Sequence, residues 1–116
     1  MKQRSLFISL LVATMACPSV HATSMAANIA AIWQLSGKVY ITMSTIQWDG
    51  PQTTCTPTTP MFMVDPNTAA GRAQLSLLIV AKEASHRVYL VGDGVCVGGG
   101  PNGWMAESLS GLQLQP

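Results

Sequence analysis

Alternation of apolar and polar positions predicts several short β-strands in this chain. Residues 28–35 are apolar with little charge, and in residues 38–44 apolar side chains occupy every second position. A period of two with β-branched residues is typical of a half-buried strand. Ser36 and Gly37 separate the two stretches, which predicts a hairpin. Further strands are predicted at residues 60–64, 87–91 and 107–115.

The pattern changes between the third and fourth predicted strands, where residues 68–84 hold many good helix formers and no proline. The preceding Asp65-Pro66-Asn67-Thr68 is a helix-start signature, with Asn67 or Thr68 as the N-cap. Apolar side chains cover two flanks of this helix, so it needs cover on more than one side. We expect four of its side chains to be largely buried: Leu75, Leu77, Leu78 and Val80.

The predicted order is strand, strand, strand, helix, strand, strand, in a domain that is mainly β with one helix. This is the order of an OB-fold, a small five-stranded barrel with a helix between strands 3 and 4. In this arrangement the GGGPNG segment at residues 98–103 is a loop, and Gly92-Asp93-Gly94 ends or bends the fourth strand. For the helix, the simpler alternative to cover on more than one side is a small core with one apolar helix.

The first residues have the pattern of a secretory leader. Lys2 and Arg4 precede an apolar run at residues 6–16, which is too short to span a bilayer. The VHA motif that ends at Ala22 places small residues at the two positions that signal peptidase reads. We therefore expect cleavage after Ala22.

Cleavage there divides the chain into a signal peptide at residues 1–22 and a single OB-fold-like domain at residues 23–116. The protein would then be exported, either periplasmic or secreted, with no stable membrane span. The alternative is a lipoprotein acylated at Cys17. However, the three residues before Cys17 make a poor lipobox, and Pro18 follows it directly.

Composition and charge exclude two classes of protein. The chain has 116 residues, of which 48% are hydrophobic and 9% charged, with a formal charge of +1. A disordered chain would have fewer apolar residues and more charges, and this length allows one domain at most. Without the leader, the domain holds four basic and five acidic residues. That balance argues against a basic nucleic-acid binder.

Two cysteines, Cys55 and Cys96, remain in the predicted domain. An even pair in a small exported domain predicts a disulfide. Closing a loop of about 40 residues contributes roughly 4 kcal/mol in the chain-entropy account of such bonds. Two free buried thiols are the alternative.

Residues for catalysis, metal binding or cofactor binding are scarce. His86 is the only imidazole of the domain, and it falls in a predicted turn, where a solvated polar residue is ordinary. A metal site needs several convergent ligands. The loop at residues 98–103 formally fits GxGxxG, but no helix is predicted behind it to receive a pyrophosphate. We therefore predict no enzyme activity, no catalytic residue, no metal and no cofactor.

Tryptophans provide the candidate ligand surface. Trp48 beside Asp49, and Trp104 near Asn102, fall on predicted loops and are candidates for stacking on a sugar. The alternative for both tryptophans is core or interface packing, because this side chain buries a large area. Trp33, inside an apolar strand, is predicted in the core.

The segment VDPNTAAGRAQLSLLIVAKEASHRVYLVGDGVC, residues 64–96, resembles a cassette of small exported bacterial proteins. In that cassette a capped helix runs into a strand of the type xPVxVxGxGxC, with a paired cysteine upstream. The layout is similar to the helix-then-strand half of toxin B subunits, of the subtilase-cytotoxin and pertussis-like kind, and the resemblance covers residues 55–115. It implies an exported, disulfide-bonded OB-fold that forms pentamers and binds cell-surface glycans. No sugar-binding motif of those subunits matches residue by residue.

Together these observations predict an exported, non-catalytic binding module. Its expected partners are a glycan or an exported partner subunit, and further copies of itself, because a barrel of this size covers only one flank of the helix. If residues 23–31 cover the other flank instead, the same sequence gives a monomer. The alternative function is a periplasmic or envelope accessory protein without a small ligand. Nucleic acid is not an expected partner.

Overall fold

The structure is a computed structural model that describes residues 22–50, 55 and 60–115. These residues form five strands and one α-helix in the predicted order, with one short 3₁₀ turn. The strands are β1 Ser24–Leu35, β2 Lys38–Trp48, β3 Met61–Val64, β4 Val88–Val97 and β5 Ala106–Leu114. The helix is α1 Ala69–Glu83 and the 3₁₀ turn is Pro101–Gly103. All five predicted strands are confirmed, and β1, β2 and β4 are longer than predicted.

Most of the predicted signal peptide, including Cys17, lies outside the described residues. Ala22 is the one leader residue that is described, and it is exposed. The described part of the chain includes no helix long and apolar enough to cross a bilayer.

The five strands close into a barrel in the order β1-β2-β3-β5-β4. Four neighbouring pairs are antiparallel, and β3 and β5 are parallel. The parallel pair requires a crossover, which consists of α1 and β4. This topology confirms the predicted fold class, a mainly β, OB-like barrel with its helix between strands 3 and 4.

A two-residue turn joins β1 to β2. Ser36 and Gly37 have φ angles of 52° and 76°. Positive φ at both central residues is the geometry of a type I′ turn, whose twist matches that of the flanking strands. The turn therefore fixes the register in which Leu35 pairs with Lys38 and Trp33 pairs with Tyr40.

The short strand β3 is buried on both faces. Phe62 and Val64 point into the main core inside the barrel. Met61 and Met63 point outward and are buried in a second cluster with Tyr40. The main core draws on every strand and the helix: Met25, Ala27, Ile29, Val39, Ile41, Phe62, Val64, Leu78, Ala81, Val88, Leu90 and Leu109.

The helix begins where the sequence predicts. Thr68 is the N-cap, and its hydroxyl oxygen accepts a hydrogen bond from the Gly71 amide at 2.9 Å. The same hydroxyl donates to the Asp65 carbonyl at 3.1 Å, while the Asp65 carboxylate accepts from the Asn67 amide at 2.9 Å. These bonds satisfy amides that have no partner within the helix.

The predicted burial along the helix is only partly correct. Leu78 is fully buried and Leu75 is half-buried against the core. Leu77 and Val80 are 41% and 52% exposed, so their prediction as buried residues is wrong. The reason is geometric, because one narrow face of α1, centred on Leu78 and Ala81, lies against the barrel. Residues beyond that face remain in solvent even when they are apolar.

The fourth strand bends at its glycines instead of ending there. The pairing of β4 with β5 shifts register between Val91 and Gly92 and again between Gly92 and Cys96, and the strand then continues to Val97. This irregular end carries the predicted disulfide. Cys96 is bonded to Cys55 with Cα atoms 5.3 Å apart, which confirms the pairing and ties the β2–β3 connection to β4.

Candidate functional site

The outer wall of the barrel carries aromatic side chains near the β1–β2 turn. Trp33 of β1 is the direct partner of Tyr40 of β2, and Tyr40 is in turn the partner of Met63 of β3. Residues directly opposite on neighbouring strands share one face of a sheet. Tyr40 is buried in the outer cluster, whereas Trp33 is 48% exposed.

The prediction that Trp33 is a core residue is therefore wrong. Its neighbour Ile32 packs against the main core, and alternation along the strand turns Trp33 outward. The apolar character of this stretch reflects one row of side chains that lines the barrel and a second row that lies on its surface.

The loop between β4 and β5, residues 98–105, covers Tyr40. The Tyr40 hydroxyl donates to the Gly98 carbonyl at 3.4 Å. Gly100 is buried, and a Cβ at this position would lie 3.3 Å from both Tyr40 Cε1 and Met61 Sδ. A Cβ here would lie still closer, at 2.6 Å, to the Trp104 carbonyl oxygen, so the missing side chain matters most for the loop's own backbone.

The same loop holds Trp104 at the surface. The Gly100 amide donates to the Trp104 carbonyl at 3.0 Å, and the Trp104 amide donates to the Pro101 carbonyl at 3.2 Å. Asn102 lies at the tip with φ of 58°, a conformation that asparagine tolerates well. Trp104 remains 39% exposed.

Trp33, Tyr40 and Trp104 define what we call the outer aromatic face. The two exposed tryptophans lie near two connections of the barrel, because Trp33 is in β1 three residues before the β1–β2 turn and Trp104 is in the β4–β5 loop. OB-folds bind oligosaccharides and oligonucleotides on the face of strands 2 and 3 and on these two loops. The outer aromatic face coincides with that region.

The four predicted ligand residues fall into two separate pairs. Asn102 and Trp104 belong to the loop that covers Tyr40. Trp48 and Asp49 lie at the other end of β2, eight residues from Tyr40 and so roughly 25 Å along an extended strand. A ligand role for each pair stays a prediction, but the two pairs do not form one surface.

At their end of the barrel, Trp48 and Asp49 make contacts that hold the fold together. Trp48 is partly buried against the main core. The Asp49 carboxylate accepts a hydrogen bond from the Tyr89 hydroxyl at 2.6 Å, and its amide donates to the Ser24 carbonyl at 3.0 Å. The Asp49 carbonyl accepts from the Ser24 hydroxyl. These bonds fasten the end of β2 to β1 and β4.

A buried acid, which the sequence pattern did not reveal, lies in the wall between β4 and β5. Glu107 is only 1% exposed. Its carboxylate accepts from the Thr23 amide at 3.1 Å, from the Thr23 hydroxyl at 2.5 Å and from the Gly94 amide at 3.2 Å. The alternation in residues 107–115 places this residue on the polar side of the strand. The glycine at 92 is the available signal, because it leaves room for a carboxylate beside the backbone.

The remaining candidate groups stand apart from one another. His86 is exposed in the turn after the helix, as predicted, and its amide donates to the Ala81 carbonyl at 2.9 Å. The Arg87 guanidinium donates to three neutral oxygens, those of Asn28, Thr45 and Ala26. No group of three or more histidine, cysteine or acidic residues able to hold a metal is present among the described residues.

No protein-family model matches the chain, and neither does any curated protein or solved structure. The resemblance to toxin B subunits therefore stays an expectation from the sequence. What the structure defines is a class of architecture, an OB-like barrel with one disulfide and an exposed aromatic face.

Proposed function

We propose that this protein is an exported binding domain that holds a glycan on the outer aromatic face. The observation that carries the proposal is the exposure of Trp33, which pairs with Tyr40 across β1 and β2, and of Trp104, in the loop that accepts the Tyr40 hydrogen bond. Exposed tryptophan offers a rigid, flat apolar surface with one polar N–H. Such a surface suits the C–H faces and hydroxyl groups of a sugar ring.

Charge favours a neutral ligand over a nucleic acid at this face. Nucleic-acid binding by an OB-fold combines stacking with several cations that follow the phosphate backbone. Lys38 lies beside the β1–β2 turn, but the whole chain has a formal charge of only +1. Within the described residues, the exposed tryptophans have no row of cations beside them, which supports a sugar ligand over a nucleic acid.

Export is the cellular setting of this proposal. It rests on the leader-like sequence before Thr23 and on the Cys55–Cys96 disulfide, since such bonds persist in oxidising compartments. The periplasm and the exterior are both consistent with this setting.

Self-association is the second part of the proposed function. Leu77 and Val80 are exposed large apolar residues on one flank of α1 that the barrel does not cover, and Ile79 is exposed on the opposite side of the helix. Monomeric proteins seldom keep such residues grouped at the surface. Packing of this flank against another copy, in a ring of the kind that the toxin-like resemblance implies, would bury it and give a multivalent glycan binder.

A glycan-array screen of the purified, oxidised domain tests the ligand. We expect binding that Trp33→Ala and Trp104→Ala each abolish and that Lys82→Ala, on the exposed side of the helix, leaves intact. If Trp48→Ala were the only variant to lose glycan binding, the site would lie at the other end of β2. Retention of binding in both Trp33→Ala and Trp104→Ala would contradict the outer aromatic face as the site.

Sedimentation equilibrium tests the assembly. The domain is expected to form an oligomer at tens of micromolar, and Leu77→Glu with Val80→Glu is expected to return it to a monomer. A monomeric unmodified domain that binds no glycan would favour the alternative of an envelope accessory protein.

A further inference from the structure

Glu107 receives two of its three hydrogen bonds from a single residue, Thr23. The Thr23 amide lies 3.1 Å from Oε2 and the Thr23 hydroxyl 2.5 Å from Oε1. Both residues are buried, and the third donor is the amide of Gly94. Within the described part of the chain, the three hydrogen-bond donors to this carboxylate are neutral.

The buried Glu107 carboxylate has its hydrogen bonds, but none of these three donors carries a countercharge. Removing a charged group from water costs several kcal/mol, which hydrogen bonds offset in part and a cation offsets more fully. Among the three donors to Glu107, the nitrogen of Thr23 is the one that becomes an amine, and so a cation, if the chain is cut before Thr23. In the uncleaved chain that nitrogen is an amide with one proton.

The sequence predicts a cleavage site at this nitrogen, so the inference rests on the export that is part of the proposed function. Ala22 is exposed and Thr23 is buried, so the bond between them lies where the chain enters the barrel. Hydrolysis breaks the C–N bond, water supplies the oxygen of a new Ala22 carboxylate, and the Thr23 nitrogen leaves as a protonated amine. Cleavage thus creates a positive charge at an atom that already touches Glu107.

We propose that leader removal after Ala22 creates a buried ion pair between the α-ammonium group of Thr23 and the carboxylate of Glu107. The Thr23 carbonyl is already held by the Gly92 amide at 2.8 Å, so the new amine needs no rearrangement to make the pair. Charge-assisted hydrogen bonds are about twice as strong as neutral ones. The processed domain is therefore more stable than the same barrel with its leader attached, and the gain comes only after export.

A four-chain comparison tests the pair. The disulfide-bonded domain is prepared with Thr23 or with Ala22 as its first residue, using a removable fusion partner that leaves no extra residue. Each form is then made with Glu107 and with Glu107→Gln. Urea unfolding should show that Glu107→Gln lowers the folding equilibrium constant roughly tenfold to a hundredfold more in the Thr23 form than in the Ala22 form. Glu83→Gln, an exposed carboxylate on the helix, is the control and should affect both forms equally.

An equal effect of Glu107→Gln in both forms would overturn the proposal. If the Glu107→Gln variants do not fold, the domain with Glu107 unchanged still tests the proposal. The α-amine of the folded Thr23 form should react with an amine-directed reagent much more slowly than exposed Lys82, as located by peptide mass spectrometry. Equal reactivity, or an exported chain whose first residue is not Thr23, would also contradict the pair.

Discussion

The Glu107 carboxylate occupies the space in which a side chain at Gly92 would lie. A Cβ at residue 92 would lie 1.5 Å from Glu107 Oε2, which is far inside the contact distance of two atoms. The carboxylate itself is held there by hydrogen bonds from Thr23 and Gly94. Residue 92 must therefore be small wherever the Glu107 carboxylate keeps this position beside β4.

Gly92→Ala is expected to destabilise the domain by about 1–3 kcal/mol, because the Glu107 carboxylate must leave its hydrogen bonds to make room. Gly111→Ala is the matched control, since it also lies in a strand and a Cβ there meets nothing within 4 Å. Urea unfolding of the oxidised domain measures both. In a Glu107→Ala background the cost of Gly92→Ala should largely vanish, and an undiminished cost would show that the acid is not the obstacle.

Gly71→Ala should also destabilise the domain, against the usual preference of helices for alanine. Alanine gains about 1 kcal/mol over glycine inside a helix. Here, however, the new Cβ would lie 1.7 Å from the Asp65 carbonyl oxygen, which belongs to the backbone of the turn before the helix. Ala73→Gly, at an exposed helical position, provides the contrast and should cost about 1 kcal/mol. A stabilising Gly71→Ala in thermal unfolding would contradict the packing of this turn.

Two adjacent leucines of α1 should respond very differently to truncation. Leu78→Ala is expected to cost about 2–5 kcal/mol, because the side chain is fully buried in the main core. Leu77→Ala, at a side chain that lies on the exposed flank, should cost less than about 1 kcal/mol in a monomer. Denaturant unfolding at low protein concentration measures both. Equal losses at low concentration would mean that the helix presents a different face to the barrel.

Reduction of the Cys55–Cys96 disulfide should lower the free energy of unfolding by about 4 kcal/mol. The bond spans a sequence separation of 41, and releasing a loop of that length restores conformational freedom to the unfolded chain. Alkylation followed by intact-mass measurement should detect no free thiol among Cys55 and Cys96 before reduction and two afterwards. Two reactive thiols in the unreduced, exported domain would contradict the bond.

Local chemistry accounts for the parts of this fold that the sequence determined. The hairpin follows from Ser36 and Gly37, which adopt positive φ, and the helix start follows from the hydroxyl of Thr68. The alternating stretches fixed the order of elements, and that order matched an OB-like barrel. The pairing of Cys55 with Cys96 followed from the even number of cysteines in the predicted domain.

The tertiary structure alone decided which apolar residues are inside. Periodicity shows that Leu77 and Leu78 lie on an apolar helix, but only the placement of α1 on the barrel buries one and exposes the other. The prediction that Trp33 lies in the core is wrong for a related reason. Both faces of its strand carry apolar side chains, and the sequence does not say which face lies against the core.

The candidate sites depended most on contacts between distant parts of the chain. Trp33 and Trp104 are 71 residues apart in sequence; Trp33 pairs with Tyr40, and Trp104 belongs to the β4–β5 loop whose Gly98 carbonyl accepts the Tyr40 hydrogen bond. Thr23 meets Glu107 across 84 residues. Sequence patterns report local periodicity and residue type, whereas such long-range contacts follow from barrel closure, which the patterns do not encode position by position.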